Sequence, residues 1–246
     1  MNETRSDSVP WGWLTAIGLL GAHVVIQAGL GVGVGMVLLA FLLVSSQDHA
    51  SWATWASNGV VLGTTGAVGG LISIALIYVV VTRLRKRPFR ATIGLVGRTR
   101  VWPAVFGAIL LGGVMDALTL ALQRPLVPSV FASWYVGAAS ATAMFVFAVL
   151  VTPLVEELLF RGVLYPVVAR RVGANAGIVL VSALFGLAHV ATYGPDIYSV
   201  MQTLVAGLYL TWLRAWTGKL SASVAAHAAL NLYATIEAIV VVNLIR

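Results

Sequence analysis

Apolar runs of about 20 residues recur along this whole chain of 246 residues. A helix of about 20 apolar residues is long enough to cross the hydrocarbon core of a bilayer. Only 9% of the residues are charged and 60% are hydrophobic, whereas soluble domains carry about 25% charged residues. The pattern excludes a soluble globular domain. It predicts an all-α fold, a polytopic bundle of about seven transmembrane helices with a range of six to eight.

Charged segments predict how the spans are oriented. Seven of the 15 Lys and Arg residues fall between Thr82 and Pro103, and basic loops beside spans are retained in the cytoplasm. We therefore place residues 1–10 and the basic loop 82–101 in the cytoplasm, and we attribute the net charge of +7 to topology rather than to nucleic-acid binding. Phe89, Ile93, Leu95 and Val96 interleave with arginines, which predicts an amphipathic stretch on anionic lipid. The predicted spans are about 11–44, 58–81, 102–122, 137–169, 175–192, 197–213 and 220–244.

The chain divides into N-terminal spans within residues 11–122 and core spans within residues 137–246. The first apolar run is too long for the h-region of a signal peptide. The sequence has no cysteine, which excludes disulfides, thiolate nucleophiles and cysteine metal ligands. All tryptophans fall at predicted span ends or in flanking loops, as an aromatic belt requires; they are Trp11, Trp13, Trp52, Trp55, Trp102, Trp134, Trp212 and Trp216.

Three charged residues lie within six positions of one predicted span: Glu156, Glu157 and Arg161. Charges at membrane depth cost about 2.5–3.5 kcal/mol each on insertion scales, so they are rare and usually functional. Glu157 and Arg161 are spaced i, i+4 and can form an ion pair on one helix face. Glu156 points about 100° away from Glu157, which leaves it available for chemistry.

Two other spans carry polar residues at a similar depth. His189 lies in the fifth predicted span, and His227 and Asn231 share one face of the last. A carboxylate beside a histidine can deprotonate water, and a second histidine with an amide can donate to a developing oxyanion. Alternatively, Glu156, His189 and His227 could hold a catalytic divalent metal such as zinc. The sequence does not separate these two mechanisms.

Other polar residues in the spans have structural interpretations. His23 and Gln27 in the first span are expected to hydrogen-bond a neighbouring helix or to lie at the membrane interface, rather than to bind a ligand. Asp116 could join the polar site or pair with an arginine near the outer surface, and we favour the arginine pair. Glu237 lies ten residues after His227, which places it near the outer boundary.

The ordered set of motifs resembles the CAAX protease and bacteriocin-processing family, also called CPBP or Abi, which contains the type II CAAX prenyl endopeptidases. The matching segments are Glu156-Glu157-Leu-Leu-Phe-Arg161, Phe185-Gly-Leu-Ala-His189 and His227-Ala-Ala-Leu-Asn231. The resemblance covers about the last 110 residues and implies an intramembrane endopeptidase. It implies that Glu156 and His189 activate water, that His227 and Asn231 stabilise the oxyanion, and that Glu157 and Arg161 support the site. The family is often classed as metalloproteases, although a metal-independent glutamate mechanism suits the same residues, and we favour the latter.

The sequence therefore predicts a multi-pass intramembrane protease whose substrates are membrane-embedded or lipid-associated peptides or proteins. The composition suggests the plasma membrane of a bacterium. The competing hypothesis is a non-catalytic membrane protein, such as an immunity factor, a scaffold or a transporter, in which the buried polar residues are structural. Transport is the weaker version because the sequence shows no internal repeat.

Overall fold

The computed structural model of the protein describes residues 11–45, 58–97 and 99–244. Helices make up 84% of it, and the described part contains no strand. The predicted all-α, polytopic helical bundle is confirmed. Its seven long helices are α1 (Trp13–Ser45), α2 (Gly59–Leu84), α3 (Trp102–Ala121), α4 (Gly137–Val172), α5 (Ala174–Tyr193, with an irregular turn at His189), α6 (Ile197–Thr217) and α7 (Leu220–Leu244).

Contacts between segments show that the helices run between two ends of the bundle. We call the end that holds residues 82–101 the basic end. Lys219 Nζ donates to the carbonyl of Val96 at 2.6 Å, and the Leu220 amide donates to the carbonyl of Gly94 at 2.9 Å. The end of α6 and the start of α7 therefore lie at the basic end.

The opposite end holds the segment 123–136 between α3 and α4, and we call it the loop end. Arg124 pairs with Asp196 at 2.6 Å, which places the start of α6 beside this segment. The start of α2 lies here too, because a Cβ built on Gly59 would fall 1.9 Å from the carbonyl oxygen of Trp134. Only glycine permits so close an approach between the two segments.

Six described helices are long and apolar enough to cross a membrane, namely α1–α5 and α7. The remaining helix, α6, also runs from the loop end to the basic end, but it contains Gln202, Arg214 and several hydroxyl side chains. Its polar residues include the fully buried Thr211, which faces other helices rather than lipid. The sixth predicted span, 197–213, is thus a helix whose polar side chains face the interior of the bundle.

The helix that carries the Glu-Glu motif, α4, is interrupted twice by wider π-helical turns. These π segments are Val146–Val151 and Leu158–Leu164, with the short α-helical stretch Thr152–Glu157 between them. A proline ring clashes with the carbonyl four residues earlier, and for Pro153 and Pro166 those carbonyls belong to Val149 and Gly162. Each lies within a π segment, which explains why the helix widens there.

The wider turns release carbonyl groups that accept hydrogen bonds from other segments. The carbonyl of Ala148 accepts from Asn231, that of Arg161 from Arg214, and that of Val163 from the Trp11 indole, at 2.7, 3.2 and 3.1 Å. These contacts tie α4 to α7, to α6 and to the segment before α1. Since α4 carries Glu156 and Glu157, the same contacts fix those carboxylates relative to their neighbours.

The N-terminal helix α1 packs on α2 through polar contacts as predicted. His23 Nδ1 lies 2.8 Å from the hydroxyl of Ser73, and Gln27 donates to the carbonyl of Gly66 at 3.5 Å. Trp52 and Trp55 lie outside the described residues.

The prediction of a lipid-bound amphipathic stretch at the basic end is wrong for its apolar residues. Ile93 is fully buried in the main core, with Phe89 and Leu95 packed against the same core. The Phe89 ring contacts that of Tyr78 at 5.2 Å between centroids. The alternation of apolar and basic residues therefore reflects docking onto the bundle, and among the four apolar residues of this stretch only Val96 is exposed.

Candidate active site

A fully buried ion pair lies at the centre of the bundle. Arg161 Nη1 donates to Glu157 Oε1 at 2.8 Å, and both side chains are 0% exposed. The predicted i, i+4 pair is therefore present. A buried pair of this kind is tolerated only when further hydrogen bonds satisfy the remaining donors.

Helix α6 supplies those further contacts to Arg161. Its Nε donates to the hydroxyl of Thr211 at 3.1 Å and its Nη2 donates to the carbonyl of Gly207 at 3.1 Å. The guanidinium also lies over the ring of Phe185 at 4.3 Å, a favourable cation–π distance. Sequence reasoning missed Thr211 and Gly207, although their i, i+4 spacing places them on one face of α6.

Glu157 also holds His227, which sequence reasoning did not foresee. His227 Nδ1 lies 2.9 Å from Glu157 Oε1, so the ring donates Nδ1–H to the carboxylate. This contact directs Nε2 towards Glu156, whose Oε2 is 3.8 Å away. A carboxylate that fixes the orientation and tautomer of an imidazole is a common second layer of a catalytic site.

His189 approaches Glu156 from helix α5. Its Nδ1 lies 2.8 Å from the carbonyl of Phe185, and its Nε2 lies 3.8 Å from Glu156 Oε1. Tyr193 stacks on the imidazole with 6.4 Å between ring centroids. Tyr193 was not predicted as a site residue, although its i, i+4 spacing from His189 indicates a shared face.

One cavity of about 370 Å³ brings the predicted residues together. Glu156, His189, His227 and Asn231 all line it, whereas Glu157 and Arg161 lie behind its wall. Asn231 uses one amide N–H to bind the carbonyl of Ala148, which leaves its second N–H for a ligand. The matching depths that we predicted from the sequence therefore correspond to one shared cavity.

The favoured prediction for Asp116 is wrong. Its carboxylate accepts a hydrogen bond from Tyr233 and lines the same cavity, and it pairs with no arginine in the part of the chain that the structure describes. Glu237 also lines this cavity, on the part of α7 whose Thr235 and Asn243 contact Tyr135 at the loop end. Both residues sit on helix faces turned towards the cavity, a rotation that the apolar pattern of their spans did not reveal.

The loop end contributes to the wall of this cavity. Residues of the segment 123–136, including Phe131 and Tyr135, form part of its wall, and the Phe131 ring meets the Tyr193 ring at 5.5 Å. At the surface, hydrogen bonding by Ser199 and the nearby Arg124 hold the pKa of Asp196 below its usual range. Asp196 is thus a carboxylate partnered outside the cavity.

The described residues do not form an assembled metal site. Within residues 11–45, 58–97 and 99–244, no group of three or more His, Asp or Glu side chains is arranged to hold one. The suggested ligand set of Glu156, His189 and His227 therefore remains a prediction without support in this geometry.

The comparison with protein families agrees with this arrangement. Residues 138–233 match the family described as Type II CAAX prenyl endopeptidase Rce1-like. This segment is similar to that family, and we call it the Rce1-like domain. The resemblance predicted from the three motifs is thereby confirmed, and the Rce1-like domain runs from the start of α4 into α7, so that it contains all six predicted site residues.

At the level of class, the Rce1-like domain supports an intramembrane protease of the CAAX type. Together with six apolar helices, it makes the protein an integral, multi-pass membrane protein. No curated protein and no solved structure matches the chain.

Proposed function

We propose that the protein hydrolyses peptide bonds of membrane-embedded or lipid-associated peptides or proteins, with a water molecule activated by Glu156 and His189. The observation that carries this proposal is the position of Glu156 between two oriented imidazoles on the wall of one cavity. The separation of 3.8 Å between Glu156 Oε1 and His189 Nε2 is too long for a direct hydrogen bond and suits a bridging water.

In the proposed reaction, the water donates one proton to Glu156 and hydrogen-bonds His189 Nε2 through the other. Its oxygen attacks the peptide carbonyl carbon, which forms a C–O bond and a tetrahedral oxyanion. The free N–H of Asn231 donates to that oxyanion, as does His227 Nε2 when it carries a proton. Glu156 then passes its proton to the leaving amine as the C–N bond breaks.

Glu157 and Arg161 lie behind the cavity wall and act on the residues that line it. Glu157 accepts Nδ1–H of His227 and so keeps Nε2 of that ring directed at the cavity. Arg161 neutralises Glu157 and is itself fixed by α6 through Thr211 and Gly207. We therefore assign both to positioning rather than to direct contact with substrate.

The test is digestion of a membrane-peptide library by the purified wild type and by Glu156→Gln, with and without a chelator. We expect cleavage by the wild type, unaffected by the chelator, and a loss of at least about 100-fold in Glu156→Gln and in His189→Ala. Asp196→Asn is the matched control, because it removes a carboxylate that does not line the cavity. Normal cleavage by Glu156→Gln or His189→Ala would overturn the proposal.

Loss of cleavage with the chelator and its recovery with zinc would instead assign Glu156, His189 and His227 to a metal site. Absence of cleavage in every sample would favour a non-catalytic membrane protein in which the polar cluster is structural.

A further inference from the structure

Two carboxylates in the cavity have no cationic partner. Of the other carboxylates in the described part of the chain, Glu157 pairs with Arg161, Asp196 pairs with Arg124, and Glu156 faces two imidazoles. Asp116 receives only the hydroxyl of Tyr233, and Glu237 forms neither a hydrogen bond nor an ion pair among the described residues. Unpaired charges within membrane helices are costly, so their presence in a cavity indicates a function.

The residues that line the cavity include acidic side chains but no lysine or arginine. The acidic residues are Asp116, Glu156 and Glu237. The same wall holds two buried polar atoms with no hydrogen-bond partner in the structure, Glu156 Oε2 and Thr152 Oγ1. Buried polar atoms without protein partners are places where a water molecule or a polar group of a ligand binds. The rest of the wall is largely apolar, as a site for a hydrophobic peptide requires.

We propose that Asp116 and Glu237 determine specificity by binding a lysine or arginine side chain of the substrate peptide. This inference rests on the proposed function, because the cavity that holds both residues is the one that contains Glu156. A basic side chain entering the cavity would supply the counter-charge that the protein itself does not provide. Electrostatic complementarity of this kind contributes specificity chiefly by discriminating against neutral or acidic competitors.

The spacing along α7 predicts where the basic residue lies in the substrate. Tyr233, whose hydroxyl donates to Asp116, follows His227 by six positions, and Glu237 follows His227 by ten. These separations correspond to about 9 and 15 Å along the helix axis. An extended peptide advances about 3.3 Å per residue. The basic residue should therefore lie about three to five residues from the cleaved bond.

The first arm of the test measures binding without cleavage. Fluorescent apolar peptides that carry either one lysine or one glutamine at the same position are titrated onto full-length Glu156→Gln in nanodiscs. We expect the lysine peptide to bind about tenfold more tightly than the glutamine peptide. Adding Glu237→Gln or Asp116→Asn should reduce this ratio several-fold, whereas adding Asp196→Asn should leave it unchanged. Equal binding of both peptides would overturn the inference, whether or not the protein is a peptidase.

The second arm uses cleavage by the otherwise unmodified enzyme. The lysine is moved one residue at a time along the peptide, and kcat/KM is compared with that for the matched glutamine peptide. We expect kcat/KM to be about tenfold higher for the lysine peptide at one position. Glu237→Gln should remove this preference, and Glu237→Lys should replace it with a preference for glutamate peptides. Cleavage with no preference for charge would overturn the inference and leave the proposed function intact. Absence of cleavage of any peptide would count against the proposed function, while the binding arm still decides the inference.

Discussion

At the residue scale, Glu157 holds two other side chains of the site through its carboxylate. A single oxygen, Oε1, accepts hydrogen bonds from both Arg161 and His227 in a fully buried position. Glu157→Gln preserves the shape but leaves the guanidinium buried without a counter-ion. We expect a loss of about 3–5 kcal/mol in the free energy of unfolding, measured as a large decrease in Tm of the purified protein in detergent.

Two further variants separate stability from activity at this position. Glu157→Leu combined with Arg161→Met removes both charges and should recover part of the lost stability, but not cleavage, since His227 then has no acceptor for Nδ1–H. Arg124→Met is the control because it breaks an ion pair that is 41% and 28% exposed, and its cost should be below about 1 kcal/mol. If Glu157→Gln were as stable as Arg124→Met, the buried pair would not have the role assigned to it.

Residue spacing could predict contacts within one helix but not those between helices. The pair of Glu157 and Arg161 follows from an i, i+4 spacing, and it is present in the structure. The contact of Glu157 with His227 joins residues 70 positions apart, and the partner of Asp116 is 117 positions away. These depend on helix rotation, which a nearly uniform apolar span does not encode.

At the element scale, we predict that the two prolines behind the π segments of α4 lower the stability of the protein but are needed for cleavage. Pro153 and Pro166 should hold the wide turns, and replacement by alanine removes the ring and restores an N–H donor. We expect each alanine variant to be at least as stable as the wild type. Cleavage should fall at least about tenfold. In Pro153→Ala a regular α-helix would withdraw the carbonyl of Ala148 from Asn231 and turn Glu156, and in Pro166→Ala it would turn Arg161 relative to Glu157.

The control for these variants is Pro103→Ala. Pro103 lies in the first turn of α3, where a proline displaces no helical hydrogen bond, so neither Tm nor cleavage should change appreciably. Full activity in both Pro153→Ala and Pro166→Ala would show that the π turns do not position the site.

The helices themselves were predictable to within a few residues, because each apolar run has the length of a span and is bounded by polar residues, charged residues, glycine or proline. The departures are informative. The run from 137 to 169 predicted one helix but not its π turns. The basic stretch was expected to lie on lipid, yet Ile93 is buried because the loop folds back onto α4 and α7. Tertiary packing overrode local amphipathicity there.

At the scale of the whole molecule, the cavity and the basic segment lie at opposite ends of the same helices. Helix α3 leaves the basic segment at Trp102 and reaches the segment 123–136 after Ala121, and residues of that second segment line the cavity. Because basic loops are retained in the cytoplasm, we expect the cavity to face the outer side of the membrane, from which substrates would enter.

The absence of cysteine makes this orientation directly measurable, since any single introduced cysteine is the only thiol in the chain. Arg87 at the basic end and Ser129 at the loop end are exposed and suit replacement. A membrane-impermeant maleimide should label Arg87→Cys only in inverted vesicles and Ser129→Cys only in right-side-out vesicles. Labelling of both from one side would contradict the crossing of α3, and the reverse pattern would keep the crossing but place the cavity on the cytoplasmic side. Since either vesicle preparation labels one of the two variants under the proposed topology, each variant serves as the integrity control for the other.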